Sequence, residues 1–494
     1  MNRYLKILAI LLCFAKPCIA QSDEQTSGAT DYSLEVFGSA STNDYTPFWI
    51  VSNRYGVVPL EAGNGYLRMG AFHRQTTENR FRWGAGLDVV ASAPRRRYVY
   101  IQQIYAEIGY KFLNLFIGSK ENYTSLWDKE LSSGDWIGSP NARPIPEINI
   151  SIPQFTAIPG TRGIIQIKGD FAVGRSFDRD YLRDLYRERQ IEYVENALWH
   201  HKSFHLRLVD VKNHFPLTFT VGIRHHAQWG GVSTNPLYGA QPSSMKDFIR
   251  IVMGKSGGED ATASAQKNAL GNHYGSYDIK FGYLNPLFDL HFYIQHFFDD
   301  PSGLELYNFV DNLYGLQALF PNFPFLNKVV IEYLYTKDQS GPAHMILFKH
   351  KEHPGYGGGN DDYYNNFEYA TGVSYFNRSI GTPLITSPEY NADGRIGFQN
   401  NRLIAWHLGI SGFLSKQVSY RLLATNSENC GTSNRPFLKK RNNLSAAAKI
   451  SYCHPRFEGW LFTGEIAADV GSLYNDPFGA SLSIKKTGFL KKGK

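Results

Sequence analysis

Between Arg97 and Tyr110 the chain reads RYVYIQQIYAEIGY, and its side chains sort at period two. One set, Tyr98, Tyr100, Gln102, Ile104, Ala106, Ile108 and Tyr110, is mostly apolar with tyrosines at both ends; the other holds Arg97, Gln103, Tyr105 and Glu107. A strand sends alternate side chains to opposite faces, so this spacing predicts one face for lipid and one for water. Tilted by roughly 40°, such a strand rises about 30 Å, close to the apolar band of a membrane with its aromatic girdles.

The same grammar recurs. In LTFTVGIRHHAQW, Leu217, Phe219, Val221 and Ile223 oppose Thr218, Thr220, Gly222 and Arg224. Phe288, Leu290, Phe292 and Ile294 alternate with Asp289, His291 and Tyr293, and Phe478, Ala480, Leu482 and Ile484 alternate with glycine and serines. Repetition of independent alternating runs predicts an all-β chain, a transmembrane antiparallel β-barrel. At roughly 26 residues per strand and its connection, 494 residues less a leader accommodate about 18 strands. Short helices are expected in the connections: one opened by Thr46-Pro47 and ended by Gly56, one over 178–190, and one over 244–252 capped at Ser243 or Ser244. Asn64-Gly65 reads as a turn.

The start MNRYLKILAILLCFAKPCIA has a basic head, an apolar run too short to span a bilayer and a small–x–small end. It predicts a signal peptide over 1–20, a flexible N-terminus over 21–31 and one barrel domain over 32–494. Aromatic residues make up 15% of the chain and Gly 46 positions, which suits strands that are half polar. The net charge is +7; 51 basic residues, less Arg3, Lys6 and Lys16 in the leader, against 44 acidic ones leave +4. That mild charge, without a long basic run, argues against nucleic acid as a partner. Cys430 and Cys453 fall at opposite ends of two adjacent strands, too far apart for a disulfide.

No G-x-S-x-G, H-E-x-x-H, C-x-x-C or phosphate-binding glycine loop occurs, so the chain is read as a non-enzyme without cofactor or metal. His200-His201 and His225-His226 are strand neighbours that point apart, so neither pair chelates one ion; lumen histidines with polar partners are expected. Two connections hold a carbohydrate-like inventory: Trp127, Asp128, Trp136 and Arg143 in one, Asp361, Tyr363 and Tyr364 in the other. Flat aromatic faces pack on sugar C–H surfaces while carboxylates, amides and guanidinium bond hydroxyls. As a platform, both indoles must be partly exposed; as girdle or lumen packing, they need not be.

The stretches PFWIVSNRYG (47–56), QPSSMKDFIRIVMGKSGG (241–258), GNHYGSYDI (271–279), YLYTKDQSGP (333–342), YYNNFEYATG (363–372) and FNRSIGTPL (376–384) resemble the capsule assembly Wzi family of outer-membrane barrels, in its Bacteroides-like version. The resemblance implies a monomeric barrel of about 18 strands, helical elements near one mouth, and a lectin-like role holding capsular polysaccharide or exopolysaccharide at the cell surface. It assigns no ligand-binding position. A porin-like channel and a membrane-embedded hydrolase stay open as alternatives.

Overall fold

The computed structural model describes residues 28–77, 79–94, 99–189, 191–210, 215–341, 345–347, 356–358 and 361–491. The expected signal peptide lies outside them, as do residues 21–27 of the expected flexible start; the first strand begins at Ala29 rather than Tyr32.

The chain forms an 18-stranded antiparallel barrel. In order the strands are β1 (Ala29–Tyr45), β2 (Glu61–Thr76), β3 (Phe81–Ala93), β4 (Val99–Tyr110), β5 (Leu113–Ser119), β6 (Glu147–Ala157), β7 (Ile165–Arg175), β8 (Leu198–Val209) and β9 (Leu217–Trp229). They continue with β10 (Asn272–Leu284), β11 (Asp289–Phe298), β12 (Asn312–Leu319), β13 (Lys328–Tyr335), β14 (Leu403–Phe413), β15 (Val418–Gly431), β16 (Pro436–Cys453), β17 (Trp460–Gly471) and β18 (Phe478–Lys491). Each strand pairs with its neighbours in sequence, and β18 closes on β1 with Val36 opposite Ile484. Closure leaves no open edge, so the wall satisfies its own backbone, as a membrane requires.

The outer face is apolar: Val36, Met69, Ile104, Ile108, Ile150, Phe204, Ile223, Phe281, Ile450 and Leu482 are all exposed. Trp83, Tyr110, Tyr283, Tyr452 and Trp460 ring it at one rim, and Tyr333 packs on Trp406 toward the other at 4.7 Å. The inner face carries Arg68, Asp88, Glu107, Arg224, Gln295, Glu332 and Glu465.

Strand β4 departs from simple alternation. Asp88 faces Gln103 but Val89 faces Ile101, so Gln102 is an extra residue in a bulge. Val99 and Ile101 therefore face outward where Tyr100 and Gln102 were expected, and Gln102 turns inward to donate to the Tyr55 carbonyl (3.0 Å) and Glu121 (2.8 Å). Tyr98 and Arg97 lie outside the described residues. Asn64-Gly65 is likewise no turn but part of β2: the Asn64 amide donates to Thr46 Oγ1 at 2.8 Å, and a Cβ on Gly65 would lie 2.8 Å from the Phe37 carbonyl.

Connections leave the two ends unequally. At one, 77–80, 111–112, 158–164, 285–288, 414–417 and 454–459 are short, and the start of β1 and the end of β18 lie beside them. At the other, here the mouth, lie the long connections 46–60, 120–146, 176–197, 230–271, 299–311 and 336–402. The expected helices appear as Phe48–Val51, Arg179–Tyr186 and Met245–Met253. The first is shorter than expected and Thr46 does not cap it; its hydroxyl bonds the Glu61 carbonyl instead (2.7 Å). Cys430 lies near the mouth and Cys453 at the other end, and the two are not joined in a disulfide.

Candidate functional site

Three mouth connections fold back into the lumen and pack as one plug. Phe48, Trp49, Ile50 and Val51 are buried there, with Trp49 tilted over His407 at 5.1 Å and Phe48 stacked on Tyr474 at 5.5 Å. A short apolar helix made of these residues has no exposed side, so only the lumen can shelter it.

The second segment carries the tryptophans expected to bind sugar. The platform's condition of exposed indoles is not met: Trp127 is 4% exposed and Trp136 0%. Trp127 stacks on Tyr293 of β11 at 4.3 Å, and Trp136 meets the Phe297 edge at 5.0 Å. The physical reason is a ready-made socket. Gln295 on β11 accepts the Trp136 backbone N–H (2.9 Å) and Trp127 Nε1–H (3.3 Å), and donates to Asp135 (3.1 Å) and Asp278 (3.1 Å). Asp135 is fully buried, pairs with Arg224 of β9, and accepts the N–H groups of Ile137 (2.9 Å) and Gly138 (3.1 Å). Glu332 of β13 accepts from Ser132 Oγ (2.7 Å), the Ser133 N–H (2.7 Å) and Tyr293 (2.5 Å). Buried charges persist only when paired in this way.

Asp128 is also committed inward, accepting from Lys328 (2.9 Å), Gln317 (3.3 Å) and the Leu131 N–H (2.9 Å). Arg143 lies between the Tyr100 and Phe376 rings, at 4.2 and 4.3 Å, and donates to the Ile101 carbonyl (2.9 Å). That geometry spends its flat face on protein rings rather than on a ligand.

The third segment closes the wedge. Tyr363 is 0% exposed, donates to Asp311 (2.7 Å) and lies 5.9 Å from the Trp136 ring; Tyr364 donates to the Trp136 carbonyl. Arg378 clamps the first segment, donating to the carbonyls of Val51 (3.2 Å) and Val58 (2.7 Å). The structure thus brings Trp136, Tyr363 and Tyr364 together, with Trp127 and Asp128 just beneath, but as a buried wedge.

Asp361 sits above it, half-buried, accepting from Ser302 at 3.3 Å. Burial and the neighbouring Asp300 push its carboxyl up to about 7, and burial lifts Asp178 and Asp311, also in mouth connections, to about 6. Asp299, Asp300 and Asp361 bring one oxygen each within 4.8 Å of one another, an all-carboxylate donor set of the kind hard cations take. Asp300's capping of Ser302 N–H (2.7 Å) and Gly303 N–H (3.1 Å) accounts for its position without one.

Phe367, missed in the sequence, is 83% exposed: Asn366 accepts the N–H groups of Glu368 (2.9 Å) and Tyr369 (3.0 Å) in a turn that holds the ring out. Its neighbours Tyr363, Tyr364 and Tyr369 look alike in sequence, and only packing separates them.

The histidine pairs do split across the wall. His201 stacks on His226 at 5.1 Å and bonds Glu147 (2.8 Å) and Asp170 (2.7 Å) in the lumen. His200 and His225 point outward, contrary to the expectation of lumen histidines.

A family model described as capsule assembly protein Wzi matches residues 44–385, more than half of the chain. No curated protein sequence matches. Among solved structures, the chain is similar to Escherichia coli Wzi, described as an outer-membrane protein involved in group 1 capsule assembly and a carbohydrate-binding β-barrel, at 12% identity, TM-score 0.55, over 92% of this chain and 83% of that one. Pseudomonas aeruginosa OprD aligns at 9% identity, TM-score 0.46, over 94% and 96%. A BenF-like porin from Pseudomonas fluorescens aligns at 8%, TM-score 0.47, over 94% and 99%.

Proposed function

The chain belongs to the capsule assembly protein Wzi family, and from that premise we propose that it is a lectin-like barrel of the outer membrane that retains capsular polysaccharide or exopolysaccharide at its mouth during capsule assembly. The observation that carries this reading is the plug: fully buried Trp49, Trp136 and Tyr363 fill the mouth half of the lumen, which suits a holding surface better than a passage. Short turns at one end and long connections at the other fit a barrel whose mouth faces outward and whose turns face the periplasm. The leader directs export and is cleaved after Ala20, which N-terminal sequencing of the membrane form tests. The role is binding, by a monomer, without a catalytic step.

Of the residues expected at the site, Asp361 is kept as a direct sugar contact, joined by Phe367. Trp127, Asp128, Trp136, Arg143, Tyr363 and Tyr364 act by holding the surface in shape. A deletion strain should shed capsule into the medium, and the intact gene should restore it. Phe367→Ala with Asp361→Asn should restore folded barrel but not retention. Full retention by that variant removes these two contacts, and a large steady current in planar bilayers from the intact protein overturns the holding role in favour of a porin.

A further inference from the structure

The connection 230–271 places an amphipathic helix, Met245–Met253, where lumen packing does not explain it. Side chains opposite one another on paired strands share a face. Phe171 lies opposite the lipid-facing Ile150, His200 opposite Val173, and Ala227 opposite His200. These are outward positions, yet Ala227 is 0% and His200 1% exposed. The cover is the helix: Phe248 stacks on Trp229 at 5.6 Å and meets His200 at 5.7 Å and Phe171 at 6.3 Å. Lys202, also outward, donates to the Val252 carbonyl at the helix's end, and His225 bonds His273 at 2.8 Å under the same cover. The helix therefore lies on the outer wall, beside the mouth-end termini of β8, β9 and β10, and seals a polar patch from lipid.

Its other side is unusual for a surface helix. Asp247 and Ile251 are buried, whereas Met245, Ile249 and Met253 are exposed at successive steps of four residues, one continuous apolar stripe. The exposed Lys246 borders the stripe. The stripe continues the lipid-facing belt, since Phe204, Ile223 and Phe281 on the strands beneath it are exposed apolar side chains of the same outer wall. A capping box of Ser244 with Asp247 and a left-handed Gly254 (φ +61) fix both ends.

We propose that this helix is an interfacial anchor that beds Met245, Ile249 and Met253 in the acyl–head-group boundary of the outer leaflet, with Lys246 toward the lipid phosphates. The proposal rests on the barrel spanning a membrane with its apolar belt in lipid. Helices with a strong apolar side and a bordering basic residue lie in this zone, about 5–10 Å into the boundary. The anchor holds the mouth, and with it the polysaccharide surface, at a fixed height above the lipid.

The test is spin-label accessibility in phosphatidylethanolamine–phosphatidylglycerol vesicles, on the full chain with Cys13→Ser, Cys18→Ser, Cys430→Ser and Cys453→Ser. Labels go on Ile249→Cys and Met253→Cys, on Phe204→Cys as the belt reference and on the exposed Ala392→Cys as the water reference. The expected ratio of oxygen to nickel-chelate accessibility at 249 and 253 is close to that at 204 and several-fold above that at 392. A water-like ratio at 249 with a lipid-like ratio at 204 overturns the anchor alone. A water-like ratio at both overturns the membrane reading and the anchor together. Strong label–label coupling at 249, reporting a second copy on the stripe, also overturns it.

Discussion

At the mouth end of the lumen, Trp136, Phe297 and Tyr363 meet ring against ring, and Asp135, Arg224, Gln295 and Glu332 are buried with their partners. At the short-turn end, Arg74, Arg82, Tyr105, Glu107 and Lys120 line a cavity of about 910 Å³, and its Lys120–Glu107 pair (2.6 Å) stays in reach of water. Both ends rest on the same alternating strands with polar side chains turned inward. The difference lies in what the connections bring: long ones insert apolar wedges that convert wet lumen into core, and short ones leave it wet. A polar inward face is therefore compatible with two interiors, and loop length at each end decides between them.

Removing the wedge should produce the largest effect. Trp136→Ala should cost about 3–5 kcal/mol of stability, because a full indole is lost from a packed site that cannot collapse. Asp135→Ala should cost a comparable amount, about 3–5 kcal/mol, by taking the hydrogen-bonded partner from buried Arg224 and leaving it only Asp278 at 3.9 Å. Tyr105→Ala at the wet end should cost less, since that ring lines the cavity and its loss widens a space already open. Urea unfolding in vesicles checks the order, and equal costs for Trp136→Ala and Tyr105→Ala would erase the contrast between the two ends. Trp136→Ala should also introduce bursts of ion current across planar bilayers that the intact protein lacks.

A second contrast runs across the wall rather than along it. Ile104 faces lipid and Glu107, on the same strand, pairs with Lys120 inside. Ile104→Arg should cost about 2–4 kcal/mol, the penalty for a cation near the bilayer midplane, and Glu107→Arg much less. Heat-resistant migration on a gel reads out both; similar losses would mean that the two faces are not distinct environments.

What was legible in the sequence follows from how local each signal is. Alternation such as Leu217, Phe219, Val221 and Ile223 needs only adjacent residues, so the strands, their faces and their approximate number could be read. The helix at 245–253 was legible for the same reason, through Ser244 and the run after it. The bulge at Gln102 was not, because a polar pair inside an apolar run leaves its register undecided until β3 and β5 are paired with it. The plug was least legible: Tyr364 bonds the Trp136 carbonyl across 228 residues. A tryptophan or tyrosine with polar neighbours looks the same as a sugar platform and as a wedge on a glutamine socket. Only Gln295, whose side chain completes that socket, distinguishes them, and on its strand it reads as one more inward polar residue.

The smallest predicted effect concerns pH, and it again separates the two ends. Asp178 and Asp311 are lifted by burial to about 6, and Asp361, by burial with Asp300 beside it, to about 7. An unfolded aspartate titrates near 3.9, so between about 4 and 6–7 the folded mouth holds more protons than the unfolded chain. Stability contributed by these groups is then greatest at the acid side and falls as pH rises through that window. The mouth connections should loosen between pH 5 and pH 8 while the short-turn end keeps its order. Hydrogen exchange should show it as faster exchange over 361–369 and 176–187 at pH 8, after correction for intrinsic rates, with no matching change over 74–82. Asp361→Asn with Asp178→Asn should shrink the difference to the share of Asp311, because the amides do not titrate in this range. A mouth that instead tightens with rising pH would mean that its carboxylates are stabilised as anions, and that the buried wedge beneath them is better solvated than its packing implies.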